Sequence, residues 1–255
     1  RPPRSTLDRS SAASDVYKRQ TYHNNESAPK KVLVTGASSG IGNEVAHRLV
    51  ALNHSVFVTG RNDEKLNQID GVSGSLSGDL TLPAFVSELV HNAVSSLGGI
   101  DVFIHCAGIG LIRKIKDMTD LEFVKVTNTN MRATFLIAKE IGEIMSITGG
   151  GRFIYVPGIL GKAPMSGASA YCASKFGAIG FLKSMELEYR TKGIQFSYFY
   201  FGGVDSPFWD DLDMNVMRDK MIPVSYAASS IIEAVQCPDH LVTGDVVIQP
   251  QSHQL

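Results

Sequence analysis

The sequence predicts an α/β fold: a Rossmann-type doubly wound parallel sheet of about seven strands in a single domain. From residue 31 onward, short β-branched runs alternate with amphipathic helical patterns, which is typical of repeated βα units. The first strand also leads directly into a glycine-rich turn and then a helix. A chain of 255 residues is long enough for one large domain of this class and somewhat short for two.

The elements follow one another in a regular order. Strands are predicted at residues 31–35, 55–59, 75–78, 100–106, 152–156, 194–201 and 242–249. Helices are predicted at residues 41–52, 83–97, near 121–147 and 169–190. In the first helix, Ile41, Val45, Leu49 and Leu52 recur on one face, as packing on a sheet requires. Residues 208–223 have no clean periodicity and are interpreted as a lid or substrate loop, or as flexible surface.

Composition excludes several classes of protein. With 44% apolar residues and a formal charge of −1, the composition indicates neither a nucleic-acid-binding surface nor an acidic disordered chain. No apolar run approaches the ~18 residues of a membrane span. Cys106, Cys172 and Cys237 form no CxxC pair, so we expect no metal site and a reducing, cytoplasmic location. The expected partners are small molecules and further copies of this chain.

The first 30 residues have no periodic pattern and are predicted to be a disordered tail. Residues 15–20, DVYKRQ, can be encoded by the end sequence that transposase-based library kits attach to DNA. We therefore interpret residues 1–20 as translated adapter, to be excluded from fold reasoning. The dinucleotide-binding domain is expected to cover residues 31–255.

The turn TGASSGIG at residues 35–42 has the glycine spacing of a dinucleotide-binding motif, and a strand precedes it and a helix follows it. Glycines permit the tight turn, the close approach of backbone to pyrophosphate, and packing of helix on strand, while the helix N-terminus supplies N–H groups and positive potential. The residues predicted to bind the dinucleotide here are Gly36, Ser38, Ser39, Gly40, Ile41 and Gly42.

The residues after the second strand bear on the choice of dinucleotide. Folds that bind NAD often have a carboxylate here for the adenosine ribose, but this chain has Thr59, Gly60 and Arg61. The guanidinium of Arg61 can pair bidentately with a 2′-phosphate. The sequence therefore favours NADP(H) over NAD(H), the alternative being a solvated arginine at the start of a helix.

A second motif, YCASK at residues 171–175, has the residues of proton-transfer chemistry. A spacing of four places Tyr171 and Lys175 on one helical face, where an ammonium can lower the pKa of a phenol from ~10 toward neutrality. The phenol can then exchange a proton with a substrate alcohol or carbonyl while a nicotinamide exchanges hydride.

TGASSGIG, HCAG at residues 105–108 and YCASK occur in an order that resembles the short-chain dehydrogenase/reductase family, over about residues 31 to 249. The resemblance implies that Lys175 also holds the nicotinamide ribose and that Asn130 anchors a water linking Lys175 to solvent. It further implies that Tyr171, Lys175 and Asn130 are the catalytic residues. The additional cofactor contacts that it implies are Asp79 at the adenine, Gly108 along the cofactor, and Val204 and Ser206 at the carboxamide.

The chain departs from the family pattern at one catalytic position. The family usually has a serine thirteen residues before the tyrosine, and here that residue is Gly158, so one hydrogen-bond donor to the reacting oxygen is missing. Ser166 and Ser169 lie nearby in sequence but do not match that position. HCAG replaces the common NNAG, and we expect His105 to be a packed strand residue and Cys106 a small buried apolar group.

Two functions remain as alternatives. The first is an NADP(H)-dependent oxidoreductase that interconverts a carbonyl and an alcohol with Tyr171 as general acid/base, attenuated by Gly158. The second is a non-catalytic dinucleotide-binding redox sensor or complex subunit. The resemblance implies a homodimer or homotetramer in which the helices near 121–147 and 169–190 pack against symmetry mates.

Overall fold

A computed structural model describes residues 28–212, 214–252 and 254–255. Seven parallel strands form one sheet. Their bounds are β1 (Lys31–Thr35), β2 (Ser55–Gly60), β3 (Gly74–Ser77), β4 (Val102–His105), β5 (Gly151–Tyr155), β6 (Ile194–Phe201) and β9 (Asp245–Ile248). Across the sheet the strands lie in the order β3-β2-β1-β4-β5-β6-β9. The predicted Rossmann-type fold is confirmed. The strand order reverses between β1 and β4, where such sheets open a crevice at their carboxyl ends.

Helices cover both faces of the sheet. Their bounds are α1 (Gly40–Ala51), α2 (Asp63–Leu66), α3 (Pro83–Leu97), α4 (Asp120–Thr127), α5 (Ala133–Thr148), α6 (Ser169–Tyr189) and α7 (Val224–Gln236). One core lies between the sheet and α3, α5 and α6, and a second lies between the sheet and α1, α2 and α7. Because both faces are covered, neighbouring residues of β1 such as Val32 and Leu33 are both fully buried, in different cores.

Some predicted element bounds are wrong by a few residues. The third strand begins one residue earlier than predicted, and the fourth and last strands are shorter. Leu52 does not share the buried face of α1: it follows the helix and its side chain is 43% exposed, because the chain turns toward β2 there. Ala46 takes its place in the core. Helices α2 and α7 were not predicted.

The long helix predicted near 121–147 contains an irregular turn. Residues Asn128–Arg132 form a π-helical turn between α4 and α5. Such turns widen a helix by one residue and are frequent at functional sites. Asn130 lies within this turn and is fully buried.

The predicted irregular segment 208–223 lies mostly outside regular structure, with short 3₁₀ turns and a small two-stranded ladder between β7 (Val204–Asp205) and β8 (Ile222–Pro223). Arg218 holds the segment in place, since its guanidinium donates to the Asp205 carboxylate at 3.2 Å and to the Ser206 carbonyl oxygen at 3.1 Å. The Trp209 indole N–H donates to the Val204 carbonyl oxygen at 2.8 Å.

The segment interpreted as translated adapter, residues 1–20, lies outside the described residues. Within the described part of the chain, no helix has the length and apolar character needed to cross a membrane. Over the same residues, no group of three or more His, Cys, Asp or Glu side chains is arranged to hold a metal ion.

Candidate active site

A cleft of about 1110 Å³ opens at the carboxyl ends of the central strands. It extends from the glycine-rich turn and Arg61 at one end to Tyr171 and Gly158 at the other. The residues predicted to bind the dinucleotide all line it: Gly36, Ser38, Ser39, Gly40, Ile41, Gly42, Arg61, Asp79, Gly108, Tyr171, Lys175, Val204 and Ser206. Residues from distant parts of the sequence therefore meet at one surface, as the strand order requires.

The glycine-rich turn presents an uncapped helix end to the cleft. Ser39 is the N-cap of α1, yet its side chain accepts no hydrogen bond from the helix, and the first turn has no acidic residue. The N–H groups at this end and their positive potential remain available to an anion. Gly42 lets the helix approach the strand, since a Cβ there would lie 2.5 Å from the Gly36 carbonyl oxygen. The turn thus fits a dinucleotide pyrophosphate.

The end of the cleft at Arg61 is basic. Arg61 is exposed at the mouth, and Lys65 of α2, which sequence reasoning missed, lines the same end. Asn62 caps α2 by accepting from the Lys65 backbone N–H at 2.9 Å, which fixes the short helix beside Arg61. Asp79 also lines the cleft, and its carboxylate accepts from the Thr81 N–H at 2.8 Å.

Tyr171 and Lys175 lie on one face of α6, as their spacing predicts. The Lys175 ammonium is 5.7 Å from the centroid of the Tyr171 ring and 5.6 Å from that of Tyr155. Lys175 is only 3% exposed. Burial lowers its pKa to about 8, because the charged form has lost its hydration.

The prediction that Lys175 lowers the pKa of Tyr171 is wrong for this structure. Burial of the phenol, with a smaller contribution from Cys172, raises the pKa of Tyr171 above its ordinary value. The desolvation of the phenolate outweighs any effect of the Lys175 ammonium, which lies near the ring. Tyr171 is therefore a protonated hydroxyl at neutral pH, the form that donates a proton.

Asn130 lies behind the cleft and joins two of its walls. Its side-chain amide donates to the Ile109 carbonyl oxygen at 2.9 Å and to the Ser174 hydroxyl at 3.0 Å, and its amide oxygen accepts from the Ile109 N–H at 2.8 Å. A Cβ on Gly108 would lie 2.9 Å from the Lys175 ammonium and 3.1 Å from the Asn130 amide oxygen. The chain after β4, the π-helical turn and α6 thus meet around Lys175.

His105 is a packed strand residue, as expected, and it also has two orienting partners that the sequence did not reveal. Its Nδ1 is 2.7 Å from the Thr35 hydroxyl, and its Nε2 is 2.9 Å from the Thr134 hydroxyl. Thr134 donates to the Asn130 carbonyl oxygen at 2.7 Å, so its oxygen is free to accept from Nε2–H. Burial lowers the pKa of His105 to about 3, and the ring is neutral at physiological pH.

The end of the cleft at Tyr171 is mostly apolar. The Phe208 ring lies 6.1 Å from the Tyr171 ring, centroid to centroid. Phe208 and Leu212 pack over Gly110 across the cleft, since a Cβ on Gly110 would lie 2.6 Å from Phe208 and 3.1 Å from Leu212. Met165 lines the same end. The loop after β7 therefore covers the space beside Tyr171, which supports its interpretation as a lid or substrate loop.

Comparison with known proteins assigns this arrangement to a family. The sequence matches the short chain dehydrogenase family over residues 30–216. The chain belongs to this family. Its relatives include the sepiapterin reductase of Chlorobaculum tepidum, 26% identical over 87% of this chain and 96% of that protein. They also include the 3-oxoacyl-(acyl-carrier-protein) reductase of Rickettsia prowazekii, 34% identical over 72% of this chain and 76% of that protein.

Solved structures agree with the fold of this short-chain dehydrogenase. A variant of actinorhodin polyketide ketoreductase, solved with NADPH, superposes with a TM-score of 0.78 at 25% identity, covering 87% of this chain and 96% of that one. An alcohol dehydrogenase from Thermococcus sibiricus, solved with 5-hydroxy-NADP, superposes with a TM-score of 0.82 at 18% identity. It covers 89% of this chain and 98% of that chain.

In this short-chain dehydrogenase, Gly158 lies beside Tyr171 where the family pattern predicts a serine. A Cβ at Gly158 would lie 3.9 Å from the Tyr171 hydroxyl oxygen. Ser166 and Ser169 are exposed and do not line the cleft, so neither replaces the missing hydroxyl. Cys106 packs against the apolar core beside α1 and α7, as expected, but it is only partly buried and also lines the cleft. Desolvation raises the pKa of its thiol to about 12.

Proposed function

We propose that this short-chain dehydrogenase is an NADP(H)-dependent oxidoreductase that interconverts a carbonyl and an alcohol, with Tyr171 as the general acid/base. The observation that carries the proposal is the Tyr171 hydroxyl: it lines the cleft, burial raises its pKa, and the buried Lys175 lies behind it. The cleft joins this hydroxyl to the uncapped end of α1. A proton donor and an anion site thus share one surface.

The chain's own residues account for proton transfer and positioning. When bound, the reduced nicotinamide cofactor supplies hydride to the carbonyl carbon. The Tyr171 hydroxyl donates its proton to the carbonyl oxygen and becomes a phenolate, and in the opposite direction this phenolate accepts the proton that the alcohol loses. With its pKa lowered to about 8, the Lys175 ammonium is poised to return a proton toward Tyr171 near neutral pH. Asn130 holds the backbone of Ile109 beside Lys175.

The similar proteins support the carbonyl-reducing direction and the phosphorylated cofactor. The relatives from Chlorobaculum tepidum and Rickettsia prowazekii are both named reductases, and the ketoreductase structure was solved with NADPH. The raised pKa of Tyr171 supports the same direction, because the protonated phenol is the form that reduction consumes.

Carbonyl reduction is tested by a steady-state screen. Aldehydes and ketones are incubated with the purified protein and with NADPH or NADH, and the loss of reduced-cofactor absorbance is followed. We expect NADPH oxidation that depends on the carbonyl compound. If NADPH binds but no carbonyl compound is reduced, the non-catalytic redox sensor is the better interpretation. Gly158 favours the sensor because it lacks the hydroxyl of the serine that the family usually has there.

The cofactor preference is predicted to depend on Arg61. A charge-assisted pair between its guanidinium and a 2′-phosphate is worth about 1.5–3 kcal/mol, so NADPH should bind about tenfold or more tightly than NADH. Arg61→Ala should remove most of this difference, as measured by fluorescence titration of both cofactors. Arg190, an exposed arginine at the end of α6 that does not line the cleft, provides the control Arg190→Ala. Equal affinities in the wild type would contradict the assignment.

We also propose that the chain forms a homodimer or homotetramer through the faces of α5 and α6. Phe135 and Phe176 are 45% and 44% exposed on these helices, and Phe135 packs edge-on against Phe181 at 5.6 Å. A Cβ on Gly180 would contact nothing within 4 Å, so this face is open to the backbone of a second copy.

Light scattering at micromolar concentration should accordingly give at least twice the 27.6 kDa of one chain. Gly180→Arg should shift the particle toward the monomer while leaving the circular dichroism spectrum unchanged, because the substitution fills open space only. A wild-type particle of 27.6 kDa would rule out the assembly.

A further inference from the structure

Gly158 has a backbone conformation that other residues rarely adopt. Its φ of 75° and ψ of 168° lie in a region that is essentially restricted to glycine. The conformation is held locally, since the Gly161 N–H donates to the Gly158 carbonyl oxygen at 3.1 Å and Pro157 and Ile159 on either side are buried. The backbone conformation at this position therefore favours glycine and disfavours any residue with a side chain beside Tyr171.

Gly158 leaves room for a small group next to the Tyr171 hydroxyl. The atoms nearest to a Cβ placed there are the Phe201 carbonyl oxygen at 3.8 Å and the Tyr171 hydroxyl oxygen at 3.9 Å. Both distances are ordinary contact distances, so a methyl-sized group fits without displacing either oxygen. We call this space, bounded by Gly158, Phe201 and Tyr171, the Gly158 niche.

The hydrogen-bonding groups around the Gly158 niche determine which substrate groups are favoured there. The Phe201 carbonyl is an acceptor with no proton to give, and the Tyr171 proton is committed to the reacting oxygen. A substrate group in the niche is therefore favoured if it donates a hydrogen bond to the Phe201 oxygen. A methylene there gains no such bond, and a second carbonyl or carboxylate places one acceptor against another.

We propose that the Gly158 niche is a subsite for a hydroxyl on the carbon next to the reacting carbonyl, so that the substrates are α-hydroxy ketones and the corresponding vicinal diols. This inference rests on the proposed function of Tyr171. With the carbonyl oxygen at the Tyr171 hydroxyl, a group on the adjacent carbon reaches the neighbouring niche. The remainder of the ketone then lies at the apolar end of the cleft near Met165 and Phe208.

Three aryl ketones that differ in one group test the proposal. The substrate 2-hydroxyacetophenone carries the hydroxyl, propiophenone replaces it with a methyl of similar size, and 2-methoxyacetophenone keeps the electron-withdrawing oxygen without the proton. With NADPH, the wild type should show kcat/KM for the hydroxy ketone about tenfold or more above both analogues. In titrations of the complex with NADP⁺, 1-phenyl-1,2-ethanediol should bind about tenfold more tightly than 1-phenyl-1-propanol.

Two variants separate the niche from backbone strain. Gly158→Ala places a methyl group in the niche and should reduce both preferences to within about threefold. Gly149→Ala is the matched control, because Gly149 also has a positive φ, 101°, but a Cβ there would contact nothing within 4 Å and it lies outside the cleft. Both wild-type preferences should persist in it. If Gly158→Ala fails to fold, the wild-type comparisons of ketones and of alcohols still decide the question.

The outcomes distinguish the subsite from the reaction. Equal kcat/KM for the three ketones together with equal alcohol affinities overturns the subsite and leaves carbonyl reduction standing. Tighter binding of the diol without turnover of any ketone supports the subsite and overturns the proposed reaction. The absence of both turnover and diol preference overturns both.

Discussion

Replacing Tyr171 with phenylalanine should lower kcat for carbonyl reduction by about 10²–10⁴-fold, the contribution typical of a general acid. The substitution removes the hydroxyl that faces the cleft and keeps the ring that packs near Phe208. The affinity for NADPH should therefore change little. Steady-state kinetics and cofactor titration on the same preparation measure the two effects separately.

Tyr155→Phe is the matched control for this experiment. Tyr155 is fully buried, lies as close to Lys175 as Tyr171 does, and its hydroxyl has no hydrogen-bond partner among the described residues. Loss of an unpaired buried hydroxyl should leave turnover nearly unchanged. If Tyr155→Phe removes activity and Tyr171→Phe does not, the general acid has been assigned to the wrong tyrosine.

Replacing Lys175 with methionine should stabilise the cofactor-free protein while abolishing most of its activity. In the fold, the pKa of Lys175 is about 8, below its ordinary 10.5, because the ammonium is buried. Forming that cation inside the fold costs about 3 kcal/mol. Methionine fills a similar volume without a charge, so the free energy of unfolding near pH 7 should rise by an amount approaching this value.

The increase in the free energy of unfolding caused by Lys175→Met should become smaller as the pH rises. Below about pH 8 the folded protein carries the buried ammonium, and the destabilisation is fully present. As the pH rises toward 10.5, the unfolded chain binds the proton more than the folded one, so the wild type recovers stability and the difference disappears.

Urea unfolding of both proteins at several pH values measures this difference. Lys139→Met, at an exposed position on α5, is the control and should show no such trend. A constant difference between Lys175→Met and wild type across the range would mean that packing, and not charge, decides the stability at this position.

The fold, and the residues that line the cleft, were largely predictable from the sequence alone. The alternation of strands and helices predicted the parallel sheet because each element type has its own hydrophobic period. A strand followed by TGASSGIG and a helix is a specific indication of a dinucleotide-binding turn. Every predicted dinucleotide-binding residue, from Gly36 to Ser206, lines the cleft, since the carboxyl ends of parallel strands meet at one edge of the sheet. Local spacing also placed Tyr171 and Lys175 on one helical face.

The electrostatics and the shape of the cleft around Tyr171, in contrast, follow from the tertiary packing. The direction of the Tyr171 pKa shift depends on how much solvent the surrounding elements exclude, and no local spacing records that. The partners of His105 come from β1 and α5, far away in sequence. In the sequence, Gly158 is recognised only as a departure from the serine of the family pattern. Its positive φ and the nearby Phe201 carbonyl oxygen depend on how the segments that follow β5 and end β6 lie next to each other. Secondary structure and the spacing of residues along one element were predictable from the sequence. The pKa shifts and contacts that depend on distant residues packing together away from water were not.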